Sequence, residues 1–107
     1  MIVSTTGSVP GQDGYQILGV VGGEAVLGTN FLRDMFAGIR DIFGGRSGGY
    51  QKAMREAKEH AIDDMVDQAK RMGADAIIGV TLIPYAIASD KDKMLAISAS
   101  GTAVRFR

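Results

Sequence analysis

The stretch "YQKAMREAKEHAIDDMVDQAKRMGADAIIGVTLIPYAIAS", Tyr50 to Ser89, changes its hydrophobic period halfway along. In its first part Tyr50, Met54, Ala57, Ala61, Met65, Ala69 and Met72 step by three and four, the spacing that lines one face of a helix. The remaining positions are rich in Lys, Glu, Asp and Arg. Arg55 with Glu59 and Asp67 with Arg71 sit four apart, as exposed ion pairs on a helix do. Gly73 is placed to end the helix, because glycine takes the left-handed conformation that a helix C-terminus requires. "ADAIIGVTLIPYAIAS" then reads as a long strand, "DKDK" as a polar turn, and "MLAISASGTAVRFR" as its antiparallel return.

Upstream, "MIVSTT" is β-branched and reads as a short strand, and "GSVPGQDG" as a loop. "YQILGVV" reads as a second strand. Gly22-Gly23, between two apolar runs, has the form of a two-residue hairpin turn, with a short third strand from Glu24 to Leu27. In "TNFLRDMFAGIRDIF" the period becomes helical, with Phe31, Leu32, Met35, Phe36, Ile39, Ile42 and Phe43 on one face, Asn30 as N-cap and Gly44 as terminator. The expected order is β, ββ, α, α, ββ in a single domain, 1–107.

Composition narrows the function classes. The 107 residues carry 12 Lys and Arg against 12 Asp and Glu, and 46% are hydrophobic, as in an ordinary globular domain. With zero net charge and no basic run, a nucleic-acid partner is not expected. The absence of Cys removes disulfides, thiolate metal sites and thiol catalysis. "MIVSTTGSVPG" lacks the basic and long apolar regions of a signal peptide, and no apolar run reaches membrane-spanning length, so a soluble cytoplasmic protein is expected.

The glycine pairs in "RDIFGGRSGGY" (Arg40–Tyr50) resemble a phosphate cradle only superficially. A cradle needs a strand leading into the turn and a helix opening from it. Here a predicted helix precedes the turn, and no Gly-Lys-Ser/Thr occurs in the chain. The glycines read as a sharp connection between two helices. An anion held by Arg46 and Ser47 with the amides before Tyr50 is the residual alternative.

The run "GVVGGEAVLGTNFLRDMFAGIRDIFGGRSGGY", the long amphipathic helix, "GADAIIGV" and the C-terminal "GTAV" together resemble the YbjQ-like family of small bacterial proteins, over nearly the whole chain and in order. The resemblance implies an α+β, two-layer, dodecin-like subunit, with an antiparallel sheet packed on two helices, that assembles into a ring, commonly a pentamer. Some members carry the label "putative heavy-metal-binding", and the related dodecins bind flavins. No cofactor is implied for this chain.

Against that label, soft metals want thiolate, thioether or imidazole donors, and this chain has no Cys and one His. His60 has Glu56 four residues before it and Asp63 and Asp64 after it. Glu56, His60 and Asp64 could share a helix face and hold a divalent ion weakly, though such runs are ordinarily solvated. Asp63 and Asp64 are adjacent and point about 100° apart, so they do not form a carboxylate pair. Met54, Met65 and Met72 fall on the apolar face and read as core. Tyr15, Tyr50 and Tyr85 could stack on a planar ligand. No nucleophile-elbow or other catalytic pattern occurs, so no catalytic residue is assigned and an enzyme is not expected, a site shared between subunits being the alternative.

Two expectations concern strand faces. In the last strand Leu95 and Ile97 occupy odd positions but Val104 and Phe106 even ones, which predicts a bulge or break between Ser98 and Thr102. In the strand before it, Ile78, Val80 and Leu82 are expected under the helices, and Ile77, Ile83, Tyr85 and Ile87 on the second face. A strand apolar on both faces needs a second cover, so Ile83, Tyr85 and Ile87 are the expected contacts with a neighbouring copy.

Overall fold

The computed structural model describes residues 1–27, 48–88 and 93–107, apart from the side chains at 48–50, 87, 88 and 93. The predicted helix over 31–43, most of the "DKDK" turn, and Arg46 and Ser47 lie outside the described residues. The described elements are β1 (Ile2–Val3), β2 (Tyr15–Leu27), α1 (Gly48–Arg71), β3 (Ala76–Ala88) and β4 (Lys93–Phe106). The strands form one sheet in the order β1-β3-β4-β2. β4 runs antiparallel to both of its neighbours, β2 and β3, but β1 runs parallel to β3, so the sheet is mixed rather than antiparallel.

The helix and its stop signal follow the sequence closely. Ala57, Ala61, Met65 and Ala69 are buried against the sheet, with Met54 and Met72 half-buried beside them. Gly73, at φ 79°, closes the helix. Its N–H donates to the Lys70 carbonyl at 3.0 Å, and that of Ala74 to the Ala69 carbonyl at 3.1 Å, the paired bonds of a Schellman ending. Arg105 holds the turn from the sheet, its Nε donating to the Gly73 carbonyl at 3.2 Å.

The expected hairpin at Gly22-Gly23 is not formed. β2 runs unbroken through both glycines, which pair with Ser100 and Ala99 of β4, and Glu24–Leu27 is its continuation. Gly23 has no side chain because α1 lies directly on the strand there. A Cβ at Gly23 would sit 2.7 Å from the Asp64 Cβ and 2.8 Å from the Met65 amide nitrogen, and would also meet the Ala61 carbonyl. The Gly22 N–H, pointing off the sheet edge, donates to the Gln68 Oε1 at 2.8 Å.

The predicted irregularity between Ser98 and Thr102 is found in one ladder only: pairing with β3 is interrupted at Gly101, but the extra residue is on β3 and not on β4. Gly101 pairs with Val21, and β4 continues one-for-one with β2 on both sides of it. The register shift falls instead in β3, between Ile78 and Thr81, opposite Gly101, and a second one falls in β2 between Ile17 and Gly19. Gly101 is small because a Cβ there would lie 2.6 Å from the Ile77 Cγ2 and 3.1 Å from the Val80 Cγ2. The change of hydrophobic phase along β4 has another cause: the two ends of the strand serve different cores. Ile97 and Ala99 pack under α1. Val104 packs on the opposite face with Val9 and Ala76, flanked by Tyr15, Ile78 and Phe106.

This second core is roofed by the loop before β2. The Tyr15 hydroxyl accepts from the Val9 N–H at 2.7 Å and donates to the Val9 carbonyl at 3.0 Å, and the Tyr15 ring meets Phe106 edge-on. The shift in β3 also exchanges two expected positions. Ile77 is buried under α1 and Ile78 belongs to the second core, whereas Val80 and Leu82 lie under the helix as expected.

Because Gly23 faces a helix and not a turn, Gly23→Ala is expected to destabilise the fold by about 1–3 kcal/mol through overpacking. Gly22→Ala, whose Cβ would meet only the Ala99 carbonyl at 3.1 Å, should cost clearly less. Urea unfolding midpoints of the two variants provide the comparison. Tyr15→Phe should lose the two bonds to Val9, about 1–2 kcal/mol in all. Faster amide exchange confined to the loop before β2 would identify that loss.

Candidate functional site

Two places combine exposure with chemistry. The first lies along α1. Glu56, His60, Asp64 and Gln68 recur every four residues and form one row on the helix. The lower part of this row rests on β2, with Gln68 against Gly22 and Asp64 against Gly23. Its upper part opens into a cleft of about 380 Å³ lined by Glu24, Ala25, Val26, Leu27, Ala53, Glu56, Ala57 and His60. Apolar small side chains make up much of its wall, and the Glu56 carboxylate and the His60 imidazole bring polar groups to it.

The sequence candidates Glu56 and His60 therefore do come together, while Asp64 stands over Gly23 and does not line the cleft. Asp63 is exposed on the helix. β2 contributes residues 24–27 to the wall, but the Glu24 side chain belongs to the opposite face of the sheet, in a row with Ser98 and Ile83. That wall exists only because β2 continues past Gly23 beneath the helix. Glu56 and His60 can hydrogen-bond a polar or cationic group. Among the described residues no group of three or more His, Asp or Glu side chains is arranged to hold a metal ion. Three of the six thioethers are occupied elsewhere: Met65 is fully buried, and Met54 and Met72 pack against the core.

The second place is the sheet face away from α1. One end is covered by the Val9 loop. Beyond it, Ile17 is 72% exposed, Val20 78%, Ile83 53% and Tyr85 39%, with Val26 exposed as well. Residues opposite each other in antiparallel strands share a face. Tyr85, Ala96 and Val26 therefore form one row across three strands, and Ile83, Ser98 and Glu24 the next. The expected contact residues Ile83 and Tyr85 are on this face. The Ile87 side chain lies outside the description, although its backbone pairs with Met94. Val20 and Val26 were missed, because a hairpin at Gly22-Gly23 breaks the alternation that places them beside Ile83 and Tyr85. Of the tyrosines proposed for stacking, Tyr15 is held by Val9 and Phe106, and Tyr85 is exposed. No helix among the described residues is long and apolar enough to cross a membrane.

One long helix laid on a mixed four-stranded sheet defines a small α+β domain, and a solved structure has the same fold. A crystal structure of a protein of unknown function from Pediococcus pentosaceus ATCC 25745, belonging to the DUF74 family, matches with a TM-score of 0.71 and 18% identity, covering 100% of this chain and 98% of that one. The chain belongs to the YbjQ-like family, whose model, described as "Putative heavy-metal-binding", matches residues 1–107.

The donor set makes a direct expectation about that description. Isothermal titration with zinc or copper should show no one-to-one binding below micromolar, and His60→Ala should leave the titration unchanged, because one imidazole with carboxylates offers too few soft donors. A tight site lost in His60→Ala would reverse this reading.

Proposed function

We propose that the protein is a non-enzymatic cytoplasmic subunit that assembles with copies of itself into a closed, dodecin-like ring, a pentamer in the simplest case. The observation that supports this reading is the bared outer face, with Val20, Val26, Ile83 and Tyr85 exposed in one band of the sheet. Contiguous exposed apolar surface marks interaction sites more often than it marks free surface. Identical subunits commonly close into symmetric assemblies, and the pentameric stoichiometry comes from the family likeness and not from these residues.

A second reading is favoured by the cleft between α1 and β2. In it the ring holds a small ligand or ion, with Glu56 and His60 supplying polar contacts. Native mass spectrometry of freshly purified protein separates the two readings. A retained mass that is lost in a Glu56→Gln, His60→Ala variant supports the ligand-binding ring, and bare subunits support a scaffold.

Sedimentation at low micromolar concentration tests the assembly. The expected result is a discrete oligomer, and a clean monomer of 11.3 kDa would overturn the proposal. A different ring size would overturn only the stoichiometry. Ile83→Asp should dissociate the assembly while leaving the subunit's circular dichroism intact. The side chain is half in solvent in a single subunit, so the carboxylate is tolerated there but would be stranded without a partner in a dry interface.

A further inference from the structure

We draw no further inference here: the strongest candidate, the cleft between α1 and the end of β2 that carries Glu56 and His60, belongs to the site already described and has no second observation among the described residues that points to a particular ligand.

Discussion

The approach of α1 to the backbone of β2 at Gly23 is the constraint around which the rest is arranged. The helix presents a ridge of small residues, Ala57, Ala61 and Ala69 around Met65, and the strand answers with a position that has no side chain. With alanines on one side and glycine on the other, the two backbones come closer than ordinary side chains allow. That closeness sets the helix over β2, fixes its row of Glu56, His60, Asp64 and Gln68 along the strand, and lets Gln68 reach the Gly22 N–H. It also decides which face of the sheet is left bare. The core beneath α1 is then completed by Val21, Ala25, Ile77, Val80 and Ile97.

Much of this was legible in the sequence, and the failures share one origin. The helix from Gly48 to Arg71, its end at Gly73 and the β3–β4 hairpin follow from hydrophobic period and from one residue suited to a positive φ. Glycines in strands were less transparent. A glycine is equally permitted by a turn, a register shift and a close contact, and the local sequence does not distinguish them. Gly22-Gly23 was read as a turn and is a contact. Gly101 was read as a bulge and is the gap into which Ile77 and Val80 project, with the irregularity on the neighbouring strand at Gly79. Each distinction depends on what another part of the chain places nearby. The same dependence hid the β2 wall of the cleft, since residues 24–27 lie opposite Glu56 and His60 only if β2 is continuous.

The second core shows why apolar alternation can change phase without a defect in the strand. Val104 and Phe106 turn away from α1 because the loop before β2 folds over that end of the sheet and supplies Val9 and Tyr15 as cover. Tyr15 fastens this roof through its hydroxyl, satisfying both backbone groups of Val9 in a partly buried place where water would be a poorer partner. One face of one strand thus moves from covered by its own loop to uncovered within a few residues. The uncovered part is the band proposed for assembly.

The sheet edges bear on how a neighbour could be met. Ser4 donates to the Ile77 carbonyl and accepts from the Val80 N–H, so these β3 residues direct their backbone groups away from β4. Backbone groups alternate sides along a strand, and continuing from Val80 places the nitrogen of Pro84 on the same outward edge, where it has no hydrogen to donate. At the opposite edge, the outward N–H of Gly22 is already used by Gln68. Each edge therefore has a position that interrupts an added strand, one by lacking a donor and the other by having it occupied. The broad face has no such block on its backbone: Val20, Val26, Ile83 and Tyr85 lie across it with small or hydroxyl side chains on β4 between them, and Glu24 of β2 is the charged residue among them. For identical subunits, contact through that face removes apolar area from water without requiring either edge to give up its protection.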